Sequence, residues 1–144
     1  MPAWVTAGYG EYARRMPRDY ALDLVELKPA SRDDGKSAAK LLALEAPRIR
    51  AACVGCTVIA LDERGSAWTT RQLAQRLSTW RDAAQDVAFV VGSADGLDEA
   101  VKRDASATFA LSALTLPHGL ARVILAEQLY RAVSVLSGHP YHRD

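Results

Sequence analysis

Short apolar, β-rich runs alternate along the chain with stretches whose apolar positions recur every three or four residues. Four runs predict strands: Leu22–Leu27 (LDLVEL), Cys56–Leu61 (CTVIAL), Val87–Val91 (VAFVV) and Thr108–Leu111 (TFAL). The middle two are almost continuously apolar. Strands covered on both faces of a parallel sheet have this pattern, because neither face meets water.

Helical patterns fill the gaps. One covers Trp4–Arg15, opening after Pro2–Ala3. Another covers Ser37–Ala52, behind the polar loop Ser31–Lys36, and Pro47 is expected to kink or split it because proline lacks the donor a helix interior needs. Thr69 and Gln72 form a capping-box pair that opens a helix to about Ala84. Leu97–Ala105 is shorter. Pro117 stands in the first turn of a last helix that runs to Leu136, before Gly138 and Pro140 stop it. The alternation predicts a single α/β domain over residues 1–144, with a mostly parallel sheet and helices on both faces. The last helix carries Leu120, Val123, Ile124, Leu125, Leu129, Val133 and Leu136 on more than one stripe. A helix of that kind is buried deeply within its own chain or against a second subunit, and the pattern fits both.

Composition narrows the class. With 144 residues, 49% hydrophobic and 24% charged, the chain can build an ordinary globular core, which excludes disorder, collagen and a disulfide scaffold. No apolar run approaches the roughly 18 residues of a membrane span. The opening Met-Pro-Ala-Trp-Val has no basic region leading into an apolar one, so neither signal peptide nor membrane is expected and the cytoplasm is the expected location. Eighteen Lys and Arg face 17 Asp and Glu, and the balance stays even along the chain, unlike strongly basic nucleic-acid binders. Fourteen of the cations are Arg. Arg forks suit bidentate phosphate or carboxylate contacts, although a GC-rich genome produces the same bias.

Three groups of residues offer chemistry. Cys53-Val-Gly-Cys56 is a CxxC, but it ends a helix and opens a strand, the reverse of the redox arrangement, and no second pair exists for zinc. Incidental core cysteines are expected. Gly92-Ser-Ala-Asp-Gly96 follows the most apolar strand, where open α/β sheets bind ligands, but it is neither a Walker loop nor GxGxxG. Alone it fits a generic nucleotide-binding domain or a plain turn. All three histidines, His118, His139 and His142, fall near the end, the last two within Gly138-His-Pro-Tyr-His-Arg-Asp144. No helical spacing fixes them, so no metal site is expected, and the tail reads as one that folds over a functional site, with a solvated tail as the alternative.

Leu111-Ser-Ala-Leu-Thr-Leu-Pro-His118, Glu127-Gln-Leu-Tyr-Arg-Ala132 and His139-Pro-Tyr-His-Arg143 together resemble the RlmH family. The likeness covers the whole chain, including Pro2-Ala-Trp-Val and Leu61-Asp62…Gly65…Trp68-Thr69. Its members are SPOUT-class methyltransferases acting on N3 of a pseudouridine in large-subunit ribosomal RNA. The resemblance implies an α/β sheet whose C-terminal part threads a deep trefoil knot, a homodimer, and S-adenosyl-L-methionine as methyl donor. Carried over, the cofactor pocket uses Leu61, Gly92, Gly96 and the run Leu111, Ser112, Ala113, Leu114, Thr115 and Leu116. In the tail, His142 is the candidate general base for the imide proton, Arg143 holds a phosphate or developing charge, and Tyr141 stacks on the flipped base. The even charge points to a shaped target, the assembled ribosome, rather than naked RNA.

Two departures stand out. The family loop usually reads Gly-Gly-Pro-Glu-Gly, so Ser93 adds a side chain beside the cofactor. Family members also begin with a strand of about ten residues ahead of the segment that starts here at Met1, from which a start assigned at an internal methionine, or else a truncation, is expected. A catalytically impaired ribosome- or cofactor-binding module is the alternative those departures leave.

Overall fold

A computed structural model describes residues 1–31 and 35–143. The middle of the predicted Ser31–Lys36 loop and the last residue, Asp144, lie outside the described residues. The elements run α1 (Ala3–Ala13), a 3-10 turn (Arg18–Tyr20), α2 (Ala38–Ala52), β1 (Cys56–Ser66), α3 (Thr70–Asp82), β2 (Asp86–Val90), α4 (Glu99–Asp104), β3 (Ala107–Phe109) and α5 (His118–Ser137).

Local chemistry sets the helix starts. Ser37 Oγ accepts from the Lys40 amide at 3.2 Å and opens α2, which continues through Pro47 without being split. The predicted capping box closes both ways at α3: Thr69 Oγ1 accepts from Gln72 N at 3.1 Å, and Thr69 N donates to Gln72 Oε1 at 2.9 Å. Pro117 takes the position just before α5 rather than its first turn, and Gly138, at φ +71°, ends that helix in the left-handed conformation.

The sheet has strand order β2-β1-β3, all parallel. Successive residues of its central strand point to opposite faces. Ile59 enters a core built with Leu73 and Leu77 of α3, Phe109 of β3 and Leu125, Leu129 and Val133 of α5. Ala60 faces the other way, to Val90, Leu97 and Ile49 of α2. Helices therefore cover both faces, as the apolar strands predict.

Helix α5 packs against α1 as well as α3. Part of its apolar surface is thus covered within the chain, where Gly119 lies under Val5 and Val123 lies under Gly8. Leu125, Leu129 and Val133 are buried, whereas Leu120, Val123 and Ile124 are partly exposed and Leu136 is 40% exposed.

One predicted strand is corrected. Leu22–Leu27 pairs in no ladder, and it leaves Leu24, Val25 and Leu27 exposed, with Leu22 alone resting on the main core. Its residues have strand propensity, but a strand also requires a neighbour offering free backbone groups alongside, and propensity says nothing about that. Conversely β1 runs five residues past its apolar segment, to Ser66, because a register shift between Leu61 and Ser66 lets it rejoin β3 at Phe109.

Candidate active site

All three strands are parallel, so their carboxyl ends share one edge of the sheet, and the predicted pocket segments emerge there. Leu61 lies on β1, Gly92–Gly96 follows β2, and Leu111–Leu116 follows β3.

The glycine loop is tight. Ser93 and Gly96 bridge antiparallel, the Gly96 amide donates to Ser93 O at 2.9 Å, and Gly96 sits at φ +89°, where an L side chain is strained. A Cβ on Gly92 would lie 2.5 Å from the carbonyl carbon of Gly96. Both glycines are therefore demanded by the turn itself. The side chain at Ser93 does not obstruct this turn: its Oγ donates to Glu45 Oε1 at 3.2 Å, and Glu45 Oε2 accepts from the Ala30 amide at 3.0 Å. Ser93 thereby ties the loop to α2.

The run after β3 is fastened to the extension of β1. Ala110 N donates to Ser66 O at 2.9 Å, Thr115 Oγ1 donates to a Glu63 carboxylate oxygen, and Leu114 N donates to Ser112 Oγ at 2.9 Å. Gly65 makes the approach possible, since a Cβ there would lie 2.7 Å from the Thr108 carbonyl carbon. Leu111 packs on the main core, whereas Leu114 is 74% exposed. Beside these segments opens a cleft of about 300 Å³, lined by Leu61, Gly96 and Leu97 and by charged groups including Asp62, Asp95 and Lys102. Lys102 Nζ lies 3.3 Å from Asp62 and 2.8 Å from Glu99. The bond to Glu99, aided by Asp62, raises its pKa against the opposing effect of burial.

The tail doubles back onto α5. Glu127 is the hub: Tyr141 donates its hydroxyl to Oε2 at 2.7 Å, and Arg131 donates to the same oxygen through Nε at 3.0 Å and Nη2 at 2.8 Å. Arg131 also donates Nη1 to the His142 carbonyl at 2.9 Å and sets its guanidinium 4.8 Å from the Tyr141 ring centre. The Tyr130 ring adds a tilted contact at 4.7 Å. Burial, then the bond to Glu127, push the Tyr141 phenol pKa well up, so the hydroxyl stays protonated and donating. His142 Nδ1 lies 2.6 Å from the His139 carbonyl. A carbonyl only accepts, so Nδ1 carries the hydrogen and a neutral ring keeps its lone pair on Nε2. Arg143, at φ +45°, is exposed.

The predicted site is thus assembled as two groups. Leu61, Gly92, Gly96 and Leu111–Leu116 share the sheet edge, whereas Tyr141 is moored at Glu127, nine residues into α5 and so roughly 14 Å along its axis from the end of that run. Sequence reasoning did not tie Glu127 to the tail, and it missed Glu45, Glu63 and Lys102. A signal existed for Lys102, the only lysine beyond Lys40. None existed for Glu45 or Glu63, whose partners lie 48 and 52 residues away.

The CxxC sits at the other edge, in the turn into β1, with both cysteines free. Burial, then Cys56, raise the Cys53 thiol pKa, the opposite of the shift that makes a reactive thiolate. Among the described residues no group of three His, Cys, Asp or Glu is arranged to hold a metal, and no helix is long and apolar enough to cross a membrane.

The model of a family described as predicted SPOUT methyltransferase matches residues 1–142. The chain belongs to that family. Among curated SPOUT relatives it is similar to the ribosomal RNA large subunit methyltransferase H of Nitrosospira multiformis, 54% identical over 99% of this chain and 92% of that protein. The protein of the same name from Thiobacillus denitrificans is 55% identical over 100% of this chain and 93% of its own length. That of Ralstonia pickettii is 53% identical over 99% and 92%.

Proposed function

We propose that this methyltransferase uses S-adenosyl-L-methionine to methylate N3 of a pseudouridine in large-subunit ribosomal RNA, working in the cytoplasm as a homodimer on the assembled ribosome. The observation that carries the reading is the convergence of Leu61, the Gly92–Gly96 turn and the Leu111–Leu116 run on one sheet edge, where Thr115 is bonded to Glu63. The same segments carry the family motifs. The residues suit the donor: an apolar Leu/Ala run with backbone groups for a nucleoside, beside a charged cleft for a polar end. When bound, S-adenosyl-L-methionine supplies a methyl group already activated as a sulfonium.

The chain's own residues do the rest. His142 takes the imide proton at pseudouridine N3 as general base. Arg143 holds a phosphate or the negative charge that develops on the uracil carbonyls. Tyr141 offers a ring for the flipped base, while its hydroxyl fixes the tail through Glu127. The even charge suits a shaped target over naked RNA, and a dimer would gather Arg14, Arg15, Arg18 and their symmetry mates into a local patch. Because the tail and the loops are separate groups along α5, the tail of one copy serves the loops of the other. Membership of the family is what supports a C-terminal trefoil knot, a topology otherwise nearly absent from proteins.

The test is a pair of substitutions, His142→Ala and Arg143→Ala. Both should leave S-adenosyl-L-methionine affinity intact by calorimetry and cut ribosome methylation by about 10²-fold or more, the usual worth of a general base or charge stabiliser. Normal methylation by both variants removes the tail from the mechanism. An impaired binding module, the alternative, would bind ribosomes and methylate none.

A further inference from the structure

The charged cleft beside the glycine loop takes no part in the proton and RNA steps. Its lining carries four carboxylates, Asp62, Glu63, Asp95 and Glu99, against two cations, Arg64 and Lys102. That surplus repels a nucleotide phosphate. It accommodates a ligand group that carries both signs. Lys102 and Asp62 are the shielded members, with side chains 17% and 21% exposed, and they face each other 3.3 Å apart. An ammonium has three N–H donors, and among the described residues Lys102 spends two, on Asp62 and Glu99. Leu61, Gly96 and Leu97 line the same cleft, so a group bound there adjoins the segments that would hold an adenosine.

We infer that this cleft is the subsite for the zwitterionic amino-acid end of the cofactor. The α-carboxylate accepts from Lys102 and the α-ammonium donates to Asp62. The inference rests on the reading of the sheet edge as an S-adenosyl-L-methionine site, and it adds Lys102 and Asp62 to the residues named for that site.

Calorimetry on the full chain separates the two ideas. The probes are S-adenosylhomocysteine, which has the amino-acid end, and 5′-methylthioadenosine, which keeps the adenosine and the thioether but lacks that end. Lys102→Met should weaken S-adenosylhomocysteine about tenfold or more, the worth of a hydrogen bond to a charged group, and leave 5′-methylthioadenosine unchanged within about twofold. Asp62→Asn should show the same selectivity, and Lys102→Arg, which keeps the charge, should retain most of the affinity. Circular dichroism checks that each variant is folded. Equal weakening of both ligands, or none, by folded Lys102→Met and Asp62→Asn overturns the subsite while the cofactor site stands. Failure of the unsubstituted protein to bind either ligand overturns both.

Discussion

At the scale of single residues, Glu127 decides where the tail goes. One of its oxygens accepts from Tyr141 and twice from Arg131, so its removal takes that acceptor from a phenol and from two N–H groups of a guanidinium whose Nη1 still reaches the His142 carbonyl. Glu127→Ala should cost about 1–3 kcal/mol of stability by chemical denaturation, the range for an unsatisfied partly buried group. It should also lower kcat more than it raises KM for ribosomes, because the tail loses its mooring. Unchanged kcat would show that the tail finds its working position without α5. The pH response follows from the same cluster. Tyr141 has a folded-state pKa raised above its unfolded value of 10.0, so its contribution is fully present below about pH 10 and is lost as pH rises further. Thermal melts should show a decline above about pH 10 that Tyr141→Phe makes shallower; equal slopes in both proteins would contradict the assignment. The ion pair was legible from its i,i+4 spacing. Its grip on the tail was not, because the chain must turn at Gly138 before Tyr141 comes back alongside.

At the scale of elements, the helix ends and the tight turns were the legible parts. Thr69 and Gln72 bond each other as their spacing requires, and Thr69→Ala should cost about 1 kcal/mol, read as a lower denaturation midpoint with an unchanged slope. At Gly92 the close approach that demands a glycine is that of the Gly96 backbone. Gly92→Ala puts a methyl against backbone that cannot yield. It should abolish cofactor binding in a protein that keeps its circular dichroism, and retained affinity would show that the turn relaxes. Leu22–Leu27 marks the limit of such reading. Its residue types favour a strand, yet pairing depends on which backbone lies beside it, and that is set by the whole sheet. Ser93 teaches the same lesson, since its partner Glu45 lies on a helix far away in sequence.

At the scale of the whole molecule, continuous apolar strands foretold a parallel sheet covered on both faces, with the candidate pocket at its carboxyl edge. The double stripe of α5 is covered only in part by α1 and α3, with Leu136 left exposed. The proposed homodimer also draws on the separation of tail and loops, and it has a direct check. On the proposed assignment His142→Ala lacks only the base and Gly92→Ala lacks only the cofactor site, so mixing the two variants should restore methylation through heterodimers. A mixture as inactive as its parts would mean that each tail serves its own chain. The most direct test of the central claim is methyl mapping. Ribosomes from cells lacking the modification are incubated with the protein and isotopically labelled S-adenosyl-L-methionine, and the digested ribosomal RNA is read by mass spectrometry. The account predicts label on N3 of a single large-subunit pseudouridine. Label on another nucleoside, or none from a protein that binds the cofactor, would contradict it.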